Sequence, residues 1–219
     1  MKMTSFDTKT PTDAYNPSEE QAFRLVDEAA ERRKKYAPSG FDEKSWKKHS
    51  LGVALIAKKI AAEAGLDQNR AFISGLLHDI GKRWNENTEN VFHGLSGFYY
   101  LKAFGFDQTA RVCLTHSFPT TECSENLLPN PDPIVNHAKK VLQTLGEYDA
   151  YDRLIQLCDW LNDCGTDCSV EYRTNSIIRR YPQIPAQKTL ILADAVKKIK
   201  SEFDTLCGKD ILKICNIAP

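Results

Sequence analysis

Two residues that can bind a metal ion stand side by side at the end of an apolar stretch of this chain. Residues 75–82 read Gly-Leu-Leu-His-Asp-Ile-Gly-Lys, so His78 and Asp79 directly follow two leucines. Adjacent helical residues point about 100° apart, so both side chains can reach one ion only where the helix ends. Gly81 favours such an end, because glycine tolerates the left-handed conformation that closes many helices. The alternative is a polar helix terminus with a histidine cation and a solvated aspartate.

Other polar residues stand out because they interrupt apolar helical faces or lie near predicted helix ends. His49 shares a face with Val53, Ile56 and Ile60, which are apolar and helically spaced. A lone histidine in such a stripe can also be an ordinary core residue. A carboxylate in an apolar helix needs solvent or a partner, and a histidine near a helix end can simply be a helix-terminal cation. These further candidates are Asp159, His93 and His116.

Together these residues form a set of metal ligands. Imidazole and carboxylate groups suit Mn, Fe, Co, Ni or Zn, and the lack of cysteine argues against a structural zinc site. The predicted ligands of one ion are His49, His78, Asp79 and Asp159. If the Asp79 carboxylate bridges two ions, the second ion can bind His93 and His116. Two ions about 3.5–4 Å apart would clamp a phosphate and activate a water.

The order His49, His78-Asp79, Asp159 is similar to the H…HD…D pattern of the HD-domain superfamily of metal-dependent phosphohydrolases. Residues 75–82 resemble the central motif of that family, and the resemblance extends over about residues 45–163. It implies an all-helical fold, a metal site and hydrolysis of phosphate bonds, commonly in nucleotides. It also implies that Lys82 approaches the substrate phosphate, a role that suits an ammonium point charge. Asp79 and Lys82 are therefore the catalytic candidates, and Lys82 is also the substrate-binding candidate.

The histidines at positions 93 and 116 make the chain resemble one branch of the family in particular. They stand where the dinuclear branch of the family carries its second-metal ligands, and residues 92–116 resemble bacterial symmetrical dinucleoside tetraphosphatases. The longer segment between His116 and Asp159 departs from that pattern. The cyclic-dinucleotide phosphodiesterase branch carries a His-His pair and a Gly-Tyr-Pro motif, which this chain lacks. The implied cofactors are two divalent metal ions, with Fe, Mn, Co, Ni, Zn and Mg as candidates.

Apolar periodicity predicts an all-α fold, an HD-type helical bundle with additional C-terminal helices. No stretch alternates with the period of a strand, so no sheet is expected. Residues 1–15 are expected to be a disordered lead-in to a single domain over 16–219, with its core at about 45–163 and the additional helices over 164–219. The predicted N-caps include Asn16, Asp42, Asp67 and Asp107. Residues 117–133 contain four prolines and are predicted to form a long loop that can act as a lid.

Composition limits the classes of partner. Lys plus Arg and Asp plus Glu both number 29, so no net charge draws the chain to nucleic acid or to an anionic membrane. No apolar run is long enough to span a bilayer, and the N-terminal residues do not resemble a signal peptide. Seven cysteines without a disulfide pattern are interpreted as buried free thiols of a reducing compartment. We therefore expect a cytoplasmic protein without nucleic-acid or membrane partners, and a homodimer remains open.

Two functions from different classes fit these observations. The first is a metal-dependent phosphohydrolase that cleaves a phosphoester or phosphoanhydride bond in a small nucleotide, with a dinucleoside polyphosphate as the narrower candidate. The second is a nucleotide-sensing or regulatory module that keeps the fold without turnover. The complete ligand set favours the enzyme. Aromatic side chains that could stack on a base are Trp84, Tyr99, Tyr100 and Phe118.

Overall fold

The computed structural model of the chain describes residues 16–36, 42–83, 90–120 and 133–218. These parts are helical almost throughout, which confirms the predicted all-α fold. The α-helices within these ranges are α1 (Glu19–Tyr36), α2 (Glu43–Ala64), α3 (Gln68–Leu77), α4 (Asn90–Lys102), α5 (Asp107–Thr115), α6 (Pro133–Thr144), α7 (Ala150–Trp160), α8 (Val170–Arg180), α9 (Ala186–Cys207) and α10 (Ile211–Cys215). A 3-10 helix, Ile80–Arg83, follows α3.

The expectation that the chain contains no sheet is wrong. Two short strands, β1 (Asn162–Asp163) and β2 (Thr166–Asp167), pair antiparallel between α7 and α8, with Asn162 opposite Asp167. The turn between them has positive φ at both Cys164 and Gly165, as a two-residue hairpin turn requires. Strands of two residues are too short to show a period of two, so sequence periodicity could not reveal them.

Two of the predicted N-caps are confirmed. The Asp42 carboxylate accepts a hydrogen bond from the Ser45 backbone N–H at 3.1 Å. The Asp67 carboxylate accepts from the backbone N–H groups of Asn69 and Arg70 at 2.8 and 3.0 Å. These bonds satisfy backbone donors that have no partner inside the helix. They fix the starts of α2 and α3, which carry His49 and lead to His78.

The other two predicted N-caps are wrong by one or two residues. Helix α1 begins after Ser18, whose hydroxyl accepts from the Gln21 N–H while the Gln21 side chain accepts from the Ser18 N–H. This reciprocal pair replaces Asn16, whose side chain instead bonds to the side chains of neighbouring residues at the start of α5. Asp107 is the first residue of α5 rather than its cap, which is Phe106.

The core consists of two apolar clusters, and α2 contributes to both. Trp46 and Ala54 belong to the cluster formed with α1, α3, α4, α5 and α6. Val53 and Ile56 belong to the cluster formed mainly with α7, α9 and α10. Helix α3 packs closely on α2 at Gly75, where a Cβ atom would lie 2.7 Å from the Cα of Ala54. This close approach brings the end of α3 next to the middle of α2.

Other sequence expectations have mixed outcomes. The free cysteines that are buried as expected are Cys113, Cys158, Cys168 and Cys215. Cys164 is exposed, because it lies in the turn between β1 and β2, and Cys207 is half-buried. Within the described ranges, no helix has the length and apolar character needed to cross a membrane. The predicted lead-in at 1–15 and most of the predicted lid, residues 121–132, lie outside the described residues.

Candidate metal centre

Six of the predicted site residues converge where several helices end. His78 and His116 are the C-caps of α3 and α5, and His49 faces inward from α2. His93 lies in the first turn of α4, which begins at Asn90. Asp159 lies in the last turn of α7, because that helix ends at Trp160. The histidines and Asp79 are buried, and the Asp159 side chain is 19% exposed.

The Asp79 carboxylate lies between two pairs of histidines. Its Oδ1 atom is 3.1 Å from Nε2 of His93 and 3.6 Å from Nε2 of His116. Its Oδ2 atom is 3.6 Å from Nε2 of His78 and 3.8 Å from Nε2 of His49. Each oxygen therefore faces a different pair of imidazoles, which is the arrangement that a bridging carboxylate needs.

Asp159 completes the group around His49 and His78. Its Oδ1 atom is 3.0 Å from Nε2 of His49 and 3.7 Å from Nε2 of His78. On the other side of Asp79, the Nε2 atoms of His93 and His116 are 3.1 Å apart. Within the described residues, three overlapping groups place their ligand atoms within 4.8 Å of one another, and they are His49–His78–Asp79, His78–His116–Asp159 and Asp79–His93–His116.

Backbone carbonyls fix the orientation of two histidines. Nδ1 of His78 donates to the Gly75 carbonyl at 2.7 Å, and Nδ1 of His116 donates to the Cys113 carbonyl at 2.8 Å. Each carbonyl belongs to the last turn of a helix, where backbone acceptors lack partners within the helix. A carbonyl can only accept, so Nδ1 carries the hydrogen. In the neutral ring, the Nε2 lone pair then points into the cluster, the form that binds metals.

Asn162 orients His49, and the sequence interpretation missed it. The Asn162 side-chain oxygen is 3.1 Å from Nδ1 of His49, and its amide nitrogen donates to Asp167 at 2.8 Å. The bond to Asp167 sets which end of the amide faces His49, so Nδ1 is the donor there as well. Asn162 is fully buried. The only hint in the sequence was a polar residue directly after an apolar helix, which is too common to identify a site.

The chemistry of these groups fits a divalent cation. In the Nδ1–H form of His49, its Nε2 and Oδ1 of Asp159 are both acceptors at 3.0 Å, and a cation between them would relieve their repulsion. Nε2 of His78 is buried without a hydrogen-bond partner. Ligand atoms that each bind one ion at about 2.1 Å lie about 3 Å apart, which is close to the spacing found here. One ion could lie among His49, His78 and Asp79 with Asp159 beside them, and a second among Asp79, His93 and His116; the ligand roles remain predictions.

The local charges keep both carboxylates ionised. Burial alone would raise the pKa of Asp79, but Lys82 and the neighbouring histidines hold that pKa well below its ordinary value. Burial also acts to raise the pKa of Asp159, but the neighbouring His49 and His78 lower that pKa well below its ordinary value. Both side chains are thus ready to bind a cation without losing a proton.

The histidines fall into two electrostatic classes. Burial lowers the pKa of His116 to about 3 and also lowers the pKa of His93. Burial acts to lower the pKa of His78 too, but the Asp79 and Asp159 carboxylates raise it above its ordinary value overall. The pair on the Oδ1 side of Asp79 is therefore neutral at physiological pH, as metal ligands must be.

Lys82 lies beside the cluster, as predicted. Its ammonium forms an ion pair with Oδ2 of Asp79, and its side chain is 38% exposed, so it connects the buried carboxylate with the surface. The side chain of Arg33 on α1 donates a hydrogen bond to the Lys82 carbonyl and so ties the 3-10 helix to α1. Whether Lys82 contacts a substrate phosphate remains a prediction.

Three of the four predicted base-stacking residues lie within the described part of the chain. Phe118 is buried in the first apolar cluster, and Tyr100 packs partly buried against that cluster. Tyr99 is exposed and stacks on His137, with ring centroids 5.8 Å apart. Trp84 lies outside the described residues.

Residues 47–162, more than half of the chain, match the protein-family model of the HD domain. The chain belongs to the HD-domain family. This confirms the predicted family and supports, in general terms, a metal-dependent phosphohydrolase. No solved structure shows a significant match to the chain.

Among curated proteins, this HD-domain chain is similar to ribonuclease Y. It is 44% identical to ribonuclease Y of Opitutus terrae over 57 residues, which is 26% of this chain and 11% of the relative. It is equally similar, over the same shares, to ribonuclease Y of Thermosipho melanesiensis. It is 41% identical to ribonuclease Y of Fervidobacterium nodosum over 69 residues, 31% of this chain and 13% of the relative. The similarity thus covers only a small part of these relatives.

Proposed function

We propose that this HD-domain protein is a phosphohydrolase that uses two divalent metal ions to cleave a phosphoanhydride or phosphoester bond in a small nucleotide. The observation that carries the proposal is the position of the Asp79 carboxylate, with one oxygen facing His93 and His116 and the other facing His49 and His78. The Nε2 atoms of His78 and His116 are acceptors that face this acceptor carboxylate, because Nδ1 of each ring donates to a backbone carbonyl, and a cation between them would remove the repulsion.

The charge of the site favours an anionic substrate. Asp79, Asp159 and Lys82 together carry a net charge of about −1 at neutral pH. Two bound divalent ions change that sum to about +3, an excess that phosphate groups neutralise. When bound, such ions supply positive charge for the phosphoryl oxygens and acidify a water molecule. The Lys82 ammonium places part of this positive charge on the partly exposed side of Asp79.

Several features favour a small substrate. The chain has equal numbers of acidic and basic residues, whereas proteins that bind nucleic acid without sequence preference usually carry a basic surface. The resemblance around His93 and His116 favours a dinucleoside polyphosphate within this class. A cytoplasmic location without nucleic-acid or membrane partners is part of the same proposal.

Hydrolysis of RNA is the second candidate. The similarity to ribonuclease Y over 57 residues favours it. A nucleotide sensor without turnover is the third candidate function. A sensor would bind a nucleotide tightly and form no product.

The test is a competition among substrates. Diadenosine tetraphosphate, several mononucleotides and a short single-stranded RNA are offered at equal phosphate concentration with Mn²⁺, and products are separated by chromatography. We expect cleavage of a small nucleotide by the natural chain and none by Asp79→Asn, which keeps the shape of the carboxylate. Preferential cleavage of the RNA would overturn the proposal of a small substrate. Preference for a mononucleotide would overturn only the proposal that the substrate is a dinucleoside polyphosphate.

Metal analysis tests the number of ions. The protein is dialysed against Mn²⁺ and its metal content is measured by mass spectrometry. The double change His93→Ala with His116→Ala should lower the content by about one ion per chain, since it removes one imidazole pair. An unchanged content would show that the enzyme binds one ion.

A further inference from the structure

A cation from outside the matched HD region lies beside the metal-ligand cluster. Arg173 belongs to α8, which follows the residues that match the family model. Its Nη2 atom is 4.0 Å from Oδ1 of Asp159, the same oxygen that faces His49 and His78. The Arg173 side chain is 16% exposed, so the guanidinium is largely shielded from bulk water.

The protein uses only part of the hydrogen-bonding capacity of Arg173. Nη1 donates to Oδ1 of Asp163 at 2.5 Å. The 4.0 Å separation of Nη2 from Asp159 is too long for a hydrogen bond, and Nε is buried without a hydrogen-bond partner. A guanidinium has five N–H groups in a fixed plane, so the edge with Nε and Nη2 retains unused donors. Such an edge suits a phosphate oxygen.

Asp163 holds this guanidinium in place. Its carboxylate also accepts hydrogen bonds from Ser176 at 2.6 Å and from Arg180. Burial acts to raise the pKa of Asp163, but the bonds from Ser176 and Arg180 lower it to about 2, so the carboxylate remains charged. Arg173 is therefore fixed by a partner that is not one of the proposed metal ligands, and it can meet a substrate without rearranging the cluster.

The two cations at the site approach different carboxylates. Lys82 pairs with Asp79, whereas Arg173 approaches Asp159. We propose that Arg173 binds a second phosphate of the substrate, next to the phosphate at the metal ions, so the site favours nucleotides with at least two consecutive phosphates. This inference rests on the proposed function, because it assumes that phosphate binds at the cluster. A substrate with one phosphate would leave Arg173 without a ligand.

The kinetic test compares substrates with one and several phosphates. Arg173→Met removes the charge and keeps the length of the side chain, and Arg173→Lys keeps the charge without the planar edge. Arg179→Met is the matched control, because Arg179 lies on the same helix, is exposed and donates to the Asn175 carbonyl rather than to Asp163. We expect Arg173→Met to raise the KM for diadenosine tetraphosphate about tenfold to a hundredfold, the effect of losing a charged hydrogen bond. The KM for p-nitrophenyl phosphate should change less than about twofold, and Arg179→Met should affect neither KM.

A binding measurement separates this inference from the proposed function. Calorimetry compares methylenediphosphonate, a pyrophosphate analogue that is not hydrolysed, with inorganic phosphate on the Mn²⁺-loaded proteins. We expect Arg173→Met to weaken the binding of methylenediphosphonate but not that of inorganic phosphate, and to leave the metal content unchanged. If the natural chain hydrolyses none of the substrates, and Arg173→Met still binds the diphosphonate selectively more weakly, the proposed function fails and the inference stands.

Three outcomes would overturn the inference. They are equal weakening of both ligands, unchanged affinity for the diphosphonate, and loss of bound metal in Arg173→Met. The last outcome would mean that Arg173 only supports the shape of the cluster. Circular dichroism checks folding, and Arg173→Lys replaces Arg173→Met in the comparison if the latter does not fold.

Discussion

Replacing Gly81 distinguishes two explanations for the glycine that follows the His-Asp pair. The sequence interpretation made Gly81 a helix stop in the left-handed conformation, but its φ is not positive, and it lies inside the 3-10 helix Ile80–Arg83. Instead, a Cβ atom there would lie 1.8 Å from the His93 carbonyl oxygen and 2.6 Å from the Gly97 nitrogen. Gly81 is therefore required because two backbones touch, and the helix-stop prediction is wrong.

The size of the effect follows from these distances. An ordinary contact starts at 3.4 Å, so α4 and the 3-10 helix must separate by about 1.6 Å, the difference from the present 1.8 Å. The obstructing atoms are backbone and cannot rotate away. Overpacking in a core typically costs about 1–3 kcal/mol, and this clash belongs at the upper end. For a chain of 219 residues, about 3 kcal/mol corresponds to a fall in Tm of about 6–12 °C.

Calorimetric melting of Gly81→Ala, Gly81→Asn and the control Gly146→Ala decides between the explanations. Gly146 has a φ of +71° and no atom within 4 Å of an added Cβ, so its replacement costs only the conformational strain, about 1–2 kcal/mol. If backbone contact is the reason, the Gly81→Asn protein melts at a lower temperature than the Gly81→Ala protein, because the asparagine side chain is larger. If a left-handed conformation were the reason, Asn would be the milder change. A Gly81→Asn protein more stable than Gly81→Ala would refute the contact explanation.

Three further changes test how the surroundings support the site. Asn162→Ala removes the acceptor that orients His49, and we expect metal affinity to fall about tenfold to a hundredfold in metal titrations, while the melting temperature reports any general loss of folding. Gln156→Leu removes the amide that donates to the carbonyls of residues 115 and 118 on either side of His116, and we expect metal analysis to show loss of the second ion before the first. Asp163 has a pKa lowered from 3.8 to about 2, so it favours folding above about pH 4, and this contribution is lost as the pH falls from about 4 to about 2. Asp163→Asn should therefore reduce the stability at neutral pH and flatten its decline over that range, as measured by urea unfolding at successive pH values; an unchanged pH dependence would contradict the shift.

The sequence predicted those parts of the molecule that depend on local pattern. The helices α2 and α3 follow from caps at Asp42 and Asp67 and from apolar residues at helical spacing, and both caps are confirmed. The HD-domain family followed from His78 and Asp79 within their motif, with matching polar residues at long separations. Each of these inferences needed only residues within one segment, or a known order of residue types along the chain.

The sequence could not predict contacts that depend on tertiary packing. Asn162 reaches His49 across 113 residues, and Arg173 on α8 lies near Asp159 on α7, with the β1–β2 hairpin between the two helices in the chain. The role of Gly81 also depended on packing, because the close approach of α4 leaves no space for a side chain. Neither spacing nor propensity encodes such distances.

The placement of the histidines explains why one cluster can be both buried and strongly polar. A helix ends with carbonyl groups that have no partner inside the helix, and α3 and α5 each place a histidine where Nδ1 satisfies such a carbonyl three residues back. One bond thus removes an unsatisfied acceptor from the core and directs the opposite ring nitrogen, Nε2, at Asp79. The stability of the helix ends and the geometry of the ligands therefore depend on the same atoms. For this reason a substitution of His78 or His116 should cost stability even in metal-free protein.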